Sequence, residues 1–494
     1  MQRLLALTGV ALLCAACPAS VDEVCHDTAC GIPTPAGCNP DDDVKNQASC
    51  VVSSFGVFVD PDAGIDTNPG TKEAPMRTVK TALANLAGKS RIYLCDGSYD
   101  EHVVVDGATS LFGGFACGTW QYSGGRAKLA PTSEGPSLVV SHASSPIVLA
   151  DLEMRAKDAT AHAGSSITAF VRNNTATITL RRVTAHAGNA SATAAPTPET
   201  LANGFFDATA GKSANGIIGG PERICACAVE GQSVGGRGGD GAATASSAKN
   251  GDPGTATPSS AAIGAADSHA GVGKTSASGS VCTAGGDGSN GSHGLGGTGA
   301  SSLGTLTDDG WTAAPGANGE PGHPGVGGGG GGGGTDSGGA GGGGGGGGGC
   351  AGAGGAGGTG GGSSFTIVVA ESTVVIEQSE LFAGTPEPGG NAAGGGLSVE
   401  GGAGAPAAAG ACGGGRGGDG AGGSGGGGGG GGSSVGILYR GIAPTVDTAT
   451  MITTAGAGAP GGAVGKGGIG AKTGSGGASG TRGTAGVADR IHAL

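Results

Sequence analysis

Three aspartates after the first β-like segment are the strongest candidates for chemistry in this chain. Asp60, Asp62 and Asp66 are spaced so that their carboxylate oxygens could bind one calcium ion. The glutamate that closes a typical calcium loop is absent, because position 71 is Thr. The spacing therefore predicts a weak calcium site, and the alternative is an ordinary polar turn.

The other polar clusters lack the neighbours that catalysis requires. A second acidic group surrounds two short apolar runs and consists of Asp96, Asp100, Glu101 and Asp106. No basic partner recurs one repeat later, so these residues are expected in solvated turns. His142, His162 and His186 recur at similar spacing, and either a metal-binding ladder or corner residues would explain them. No nucleophile elbow, phosphate loop or zinc-protease motif is present. We expect no enzymatic activity and no cofactor.

Composition limits the partners and the size of any apolar core. Glycine supplies 117 of the 494 residues, and charged residues make up 13%. Glycine buries no side chain and loses the most backbone entropy on ordering, so a conventional core cannot run the whole length. The net charge is −13 and no basic stripe occurs, which argues against nucleic acid as a partner.

The N-terminus has the pattern of an export signal. A basic start at 1–3 precedes a largely apolar run at 4–13 and then Cys14-Ala15-Ala16-Cys17. This segment resembles a bacterial lipoprotein signal, which implies a signal peptide over 1–16 and a lipid on Cys17. An ordinary secretory signal cleaved after Ala19 is the alternative. We expect a lipid-anchored protein of the cell envelope, in the outer membrane or at the cell surface.

An exported chain with 13 cysteines is expected to form disulfides. Without Cys14 and Cys17 eleven remain, so at least one is unpaired. The segment 17–50 is predicted to be a cysteine-containing tether, and its candidates are Cys25, Cys30, Cys38 and Cys50. Three pairings of these four are possible, and a zinc site is the alternative because His26 adjoins Cys25.

Beyond this tether, an ordered series of motifs indicates the fold. The segments 56–60, 74–79, 92–99 and 110–115 combine short β-rich runs with Gly and Asp turns. Over about residues 51–190 they resemble the pectin-lyase-like superfamily, specifically a domain of unknown function in bacterial surface proteins. The resemblance implies an all-β, right-handed parallel β-helix.

The spacing of two further cysteines agrees with such coils. Cys95 and Cys117 are 22 residues apart, which is about one coil. Stacked strands lie about 4.8 Å apart, within the Cα separations that a disulfide spans. We expect a bond between successive coils, and free buried cysteines are the alternative.

A serine pair marks each later coil. Ser165-Ser166, Ser363-Ser364 and Ser433-Ser434 each begin an alternating β-branched run. The β-helix is therefore predicted over 51–190 and continues in single coils at 363–384 and 433–454. Gly-rich insertions are predicted at 191–362 and 385–432, with a Gly-rich tail at 455–494. If the coils stack, all three tracts leave from one corner.

Two states of the glycine tracts are compatible with the sequence. The runs 327–334 and 341–349 are pure glycine, which is typical of a flexible linker. The alternative is a bundle of polyglycine-II-like segments, in which neighbouring extended chains pair their N–H and C=O groups. Collagen is rejected, because the glycine triplets of 316–324 are not sustained. The tracts are similar to surface lipoproteins known for polymorphic glycine-rich sequences.

Together these features predict a non-catalytic surface lipoprotein of structural or adhesive type. Its expected partners are the membrane, through the N-terminal lipid, and polysaccharide or other cell-surface components. The alternative is an extracellular β-helix that binds or degrades carbohydrate, with polysaccharide as its partner.

Overall fold

The computed structural model describes residues 32–194, 208–229, 231–243, 246–257, 268–275, 281–335 and 339–494. The predicted signal peptide, Cys17, Cys25 and Cys30 lie outside these ranges. The described chain is almost entirely β and extended structure. Its helices are one α-helix, α1 at Val79–Ala84, and two 3-10 turns at Val44–Asn46 and Ala48–Cys50.

Three parallel sheets form the centre of the structure, called here the three-sheet core. Sheet 1 contains β1 Val57–Val59, β2 Arg91–Cys95, β5 Ser110–Phe115, β8 Ile147–Ala150, β11 Ile178–Arg181, β19 Val374–Glu377 and β22 Thr445–Val446. Sheet 2 contains β3 Gly97–Tyr99, β6 Ala127–Leu129, β9 Leu152–Arg155, β12 Thr184–His186, β20 Glu380–Phe382 and β23 Met451–Thr453. Sheet 3 contains β4 Val103–Asp106, β7 Leu138–Ser141, β10 Ser166–Arg172, β18 Ser364–Ala370, β21 Ser434–Arg440 and β24 Ala488–Ala493.

The chain visits these sheets in a fixed rotation. After β2 each round contributes a strand to sheet 1, then sheet 2, then sheet 3, and each strand pairs in parallel with its counterpart in the next round. Parallel strands need a crossover connection, and here the other two sheets provide it. This all-β architecture with almost no helix is consistent with the predicted β-helix.

An interior ladder of aliphatic side chains holds the rounds together. In sheet 1 the register places Ile147 beside Ile178 and Ile178 beside Val374, all nearly inaccessible to solvent. Sheets 2 and 3 contribute corresponding rows, including Leu152 and Val171, to the same buried cluster. The alternation of inward and outward side chains makes this ladder readable from sequence.

The N-terminal segment is packed rather than loose. The described part of the predicted tether, residues 32–50, lies on the outer face of sheet 1, where Val44 joins an aromatic cluster with Phe58 and Tyr93. The Tyr93 hydroxyl donates a hydrogen bond to the Cys50 carbonyl at 2.6 Å. Asp43 pairs with Arg182 at 2.5 Å. Apolar burial, a hydrogen bond and an ion pair therefore hold this part of the predicted tether against the core.

Three excursions interrupt the rotation at the same place. Each leaves after a strand of sheet 2 and returns at a strand of sheet 3, so all three share one corner, as the serine pairs predict. We define the excursions as residues 191–362, 385–432 and 455–487. The third differs from the predicted tail, because residues 488–493 return to pair with β21. Short strands occur in the first excursion: β13 Arg223–Ala226, β14 Gln232–Gly235, β15 Thr255–Thr257, β16 Gly304–Thr307 and β17 Gly310–Ala313.

Candidate functional site

The three aspartates proposed for calcium are used within the fold. Asp60 is buried and accepts the N–H groups of Asp62 and Ala63 at 3.0 and 2.9 Å, as a turn-forming aspartate does. Asp66 accepts the N–H of Thr78 at 2.8 Å. Among described residues, the one group of three possible metal ligands is Asp60 with Cys95 and Cys117, and those cysteines are bonded to each other. The structure does not bring the three carboxylates together.

The second acidic group also serves the fold. Glu101 accepts the first two N–H groups of α1, from Val79 and Lys80, at 2.7 and 2.9 Å. Asp106 pairs with His142 at a corner. His186 instead stacks on Phe382 in sheet 2, so the histidines do not form a ladder. None of these contacts constitutes a catalytic arrangement.

Four disulfides join described cysteines. Cys38 bonds to Cys50 and Cys95 bonds to Cys117, within the candidates from the sequence. Two further bonds, Cys227–Cys350 and Cys282–Cys412, link distant parts of the excursions. Cys225 is the free cysteine of the described chain, and it is buried. These bonds indicate an oxidising environment.

A ladder of serines closes the corner from which the excursions leave. We call Ser165, Ser166, Ser363, Ser364, Ser433 and Ser434 the serine ladder. Ser364 is fully buried; its hydroxyl donates to the Gly188 carbonyl and accepts the Gly384 N–H, both at 2.8 Å. Ser166 accepts the Gly188 N–H in the same way, at 3.0 Å. These inner serines therefore hold the chain just before an excursion begins.

The outer serines hold the returning ends. The Ser165 hydroxyl accepts the Ser363 N–H at 2.9 Å, and the Ser363 hydroxyl accepts the Ser433 N–H at 3.0 Å. The Ser433 hydroxyl accepts the Val487 N–H at 3.1 Å. The repeated serine pair visible in the sequence is thus the device that begins and ends each excursion.

Beyond this corner the described parts of the excursions lie side by side as extended segments, called here the glycine bundle. In segment 316–334 successive N–H groups point in three directions, with a period of three residues. One set donates to segment 340–358, the next to 283–298 and the third to 249–255. At its centre the donors and acceptors are Gly328 to Gly346, Gly329 to Gly286 and Gly330 to Asp252, at 2.8, 2.9 and 2.9 Å. These segments satisfy each other's backbone groups without forming a sheet.

Close approach explains the pure-glycine runs. A Cβ on Gly328, Gly329 or Gly330 would lie 2.1, 2.1 or 2.0 Å from a carbonyl oxygen of a neighbouring segment. Both runs, 327–334 and 341–349, are buried. A segment surrounded on all sides therefore tolerates only glycine.

A three-residue glycine period marks segments on the outside. In segment 474–486, glycine recurs at every third position, and a Cβ on Gly480 would lie 2.0 Å from the Gly426 carbonyl oxygen. The intervening Ser479 and Arg482 are exposed. Glycine at every third position therefore marks an extended segment with one edge packed against its neighbours. This meaning of the three-residue period was not predicted from the sequence.

A recurring motif places an arginine and an aspartate among the glycine segments. Gly-Gly-Arg-Gly-Gly-Asp-Gly occurs at 235–241 and 414–420. In both copies the arginine pairs with the aspartate three residues later at 2.5 Å. Asp240 also accepts the Gly219 N–H, and Asp419 the Gly401 N–H, both at 3.0 Å. We call Asp240 and Asp419 the carboxylate clips.

These contacts shift the ionisation of both clips. The N–H of Gly219, with Arg237 and Lys249, lowers the pKa of Asp240 to about 2. Burial alone would raise the pKa of Asp419, but hydrogen bonds from Thr473, Gly401 and Arg416 outweigh it, and the pKa is lowered. Both carboxylates are therefore charged at neutral pH and hold their donors as acceptors only.

The outer face of sheet 2 is the open one. The outer face of sheet 1 is covered by the N-terminal segment, and that of sheet 3 by the β16–β17 hairpin, whose Trp311 contacts Phe365. On sheet 2, Arg155, His186 and Phe382 are neighbours in one outward row. The rings of His186 and Phe382 stack with centroids 4.6 Å apart. Burial and the nearby Arg155 lower the pKa of His186, so its ring is neutral at pH 7.

A parallel outward row on this face carries charge of both signs. It contains Lys128, Glu153, Thr184, Glu380 and Met451. Glu153 pairs with Arg155 at 2.5 Å, and Thr184 separates the two glutamates in the register.

No described helix is long and apolar enough to cross a membrane.

Comparison with known proteins gives one partial match. No curated protein and no solved structure matches the chain. The match is to a family associated with parallel β-helix proteins, and it begins near β1 and ends within β4. Over residues 62–105, the chain is similar to the family described as "Protein of unknown function (DUF1565)".

Proposed function

We propose that this protein is an exported lipoprotein of structural or adhesive type, anchored through Cys17. In this proposal a right-handed parallel β-helix is the template on which a polyglycine-II bundle assembles. The right hand follows from the strong preference of parallel crossover connections. The bundle presents a broad surface of backbone and small side chains, and it contributes no catalytic groups.

The observation that carries this proposal is the shared corner of the three excursions. The serine ladder fixes each excursion at both ends, so the segments start side by side. Ordering a backbone residue costs about 1–2 kcal/mol. Anchoring both ends reduces the number of arrangements each excursion can adopt, and mutual hydrogen bonds offset the remainder. The large share of the chain that packs in the bundle supports a role for the bundle itself.

The mature N-terminus tests the anchor. We expect mass spectrometry of protein extracted from the native host to find an acylated Cys17 as the first residue. The Cys17→Ala variant should leave the membrane fraction. A mature chain that begins at Ser20 without lipid would contradict the anchoring.

Cell attachment tests the structural or adhesive role. Cells that display the full chain should adhere to one another or to a surface more strongly than cells that display Gly345→Val. A Cβ at this position would lie 1.9 Å from the Gly328 carbonyl oxygen, so the variant disrupts the bundle and leaves the lipid site intact. Equal adhesion at equal display would contradict the role.

The open face of sheet 2 favours a second candidate, carbohydrate binding. A partly exposed aromatic ring beside charged and hydroxyl groups is the kind of surface that contacts a sugar ring. The register of Arg155, His186 and Phe382 provides that combination. Calorimetry with neutral and acidic polysaccharides, with Phe382→Ala as the variant and Leu397→Ala as a control on the bundle, tests it. Binding that Phe382→Ala leaves unchanged would contradict this surface, and unsaturated sugar products would indicate lyase activity.

A further inference from the structure

Three sulfur atoms meet at one point of the glycine bundle. Cys350 lies directly after the pure-glycine run 341–349 and is bonded to Cys227. The sulfur of Cys225 is 3.8 Å from the sulfur of Cys350. Cys225 is 4% exposed and unpaired. An unpaired thiol therefore lies in contact with a disulfide inside the same fold.

The extended backbone explains why Cys225 and Cys227 both contact Cys350. Residues two apart on a strand face the same side, so Cys225 in β13 and Cys227 just after it both point toward Cys350. The glycine run allows this approach, because the position of a Cβ on Gly347 is 3.3 Å from the Cβ of Cys225. The two cysteines differ in accessibility: Cys225 is buried and Cys227 is partly exposed.

We propose that Cys225, Cys227 and Cys350 form a thiol–disulfide exchange site that transfers the unpaired thiol from the buried position 225 to the accessible position 227. The Cys225 thiol loses its proton to solvent, and its thiolate attacks the Cys350 sulfur. The Cys225–Cys350 bond forms as the Cys227–Cys350 bond breaks, and Cys227 leaves as a thiolate that takes up a proton. One disulfide and one thiol are present before and after, so no oxidant or reductant is needed.

The exchange makes Cys227 a site for modification by an external thiol reagent or disulfide. Burial raises the pKa of the Cys225 thiol, so the resting thiol is protonated and the exchange is slow. Reaction of the accessible Cys227 with an external group traps the exchanged state. The inference is independent of the function proposed above.

Alkylation of the intact protein tests the exchange. The full chain is incubated natively with N-ethylmaleimide, then denatured without reductant in iodoacetamide, and its disulfides are mapped by mass spectrometry. We expect N-ethylmaleimide to accumulate on Cys227 with time, with an equal amount of Cys225–Cys350 peptide. Labelling confined to Cys225, with Cys227–Cys350 as the sole bond at all times, would overturn the proposal.

Serine variants separate exchange from simple exposure. Cys227→Ser should form the Cys225–Cys350 bond and carry no free thiol at either position, whereas two alkylated thiols would overturn the proposal. Cys225→Ser should keep Cys227–Cys350 and remain unlabelled at Cys227; labelling there would show opening without exchange and would overturn it too. Cys282→Ser is the matched control. Positions 280 and 284 are not cysteine, so Cys412 should stay free and be alkylated.

Discussion

The three-sheet core and the glycine bundle both satisfy their backbone hydrogen bonds between neighbouring segments, but different contacts stabilise the two regions. In both, parallel or antiparallel neighbours exchange N–H and C=O contacts between segments far apart in sequence. The core adds buried aliphatic ladders such as Ile147, Ile178 and Val374. The bundle has almost no side chains to bury, so its segments approach until a Cβ would collide with a carbonyl oxygen.

The difference teaches that glycine content alone does not distinguish order from disorder. A glycine run loses more entropy on ordering than any other sequence. The bundle meets this cost only because its segments are anchored at the core and each has several neighbours. We expect the core to fold from its own apolar pattern and the bundle to require the core. The following substitutions act on one region and report on the other.

The largest effect is expected from a side chain in the centre of the bundle. In Gly345→Val the new Cβ would lie 1.9 Å from a backbone oxygen, which must move. The cost exceeds the about 1–3 kcal/mol of ordinary overpacking, because no flexible side chain can yield. Amide hydrogen exchange should show loss of protection across 316–335 and 339–358 while sheets 1 to 3 stay protected.

Gly476→Ala is the matched control for this variant. Its nearest neighbour, the Gly468 carbonyl oxygen, would be 3.4 Å from the Cβ, an ordinary contact. We expect wild-type protection throughout. Simultaneous loss of protection in the core and the bundle of Gly345→Val would refute the one-way dependence.

A cavity in the core should destabilise both regions. Leu149 is fully buried in the interior ladder, and Leu149→Ala should lower the free energy of unfolding by about 2–5 kcal/mol. Denaturant unfolding measures this change, and the bundle should lose protection together with the core. Val104→Ala, on a residue that is 52% exposed, is the control and should change stability by less than about 0.5 kcal/mol.

The serine ladder should have a smaller effect, concentrated at the corner. Ser364→Ala leaves the part-buried Gly384 N–H without its acceptor and the Gly188 carbonyl without this donor, at a cost of about 1–3 kcal/mol. We expect the variant to exchange its amides at 384–390 faster than the wild type does, with a smaller change in sheet 1. Ser98→Ala, at an exposed position of sheet 2, is the control. Unchanged exchange at 384–390 would disprove the anchoring role of Ser364.

Acid should weaken the bundle slightly through the carboxylate clips. The folded pKa of Asp240 is about 2, below its ordinary value of 3.8, so its contribution is complete above pH 3.8 and is lost as pH falls through 2. The free energies of unfolding of wild type and Asp240→Asn in urea, monitored through the amides of the bundle, should therefore differ at pH 5 and converge near pH 2. A constant difference across this range would count against the clip.

Much of the core was predictable from residues 51–190. The alternating β-branched runs and the serine pairs predicted the repeated strands and the common corner, because both signals are local and periodic. The packing of residues 32–50 on the core was not predictable, since it depends on Arg182, more than 130 residues away from Asp43. The calcium hypothesis stays a prediction, and its spacing argument could not show that Asp66 accepts a hydrogen bond from the Thr78 N–H.

The glycine tracts divide what sequence determined from what tertiary structure decided. Sequence alone determined where the repeated strands of 51–190, 363–384 and 433–454 form, because an alternating apolar pattern is complete within one strand. It also contained the three-residue glycine period, whose meaning depends on partners. Only the tertiary structure decided that the tracts are packed, since the neighbours of one glycine segment come from parts of the chain as distant as Asp287 and Arg416. Glycine has no side chain and no strong local backbone preference, so a glycine segment cannot specify its own neighbours. The corner that anchors the excursions determines which segments lie side by side.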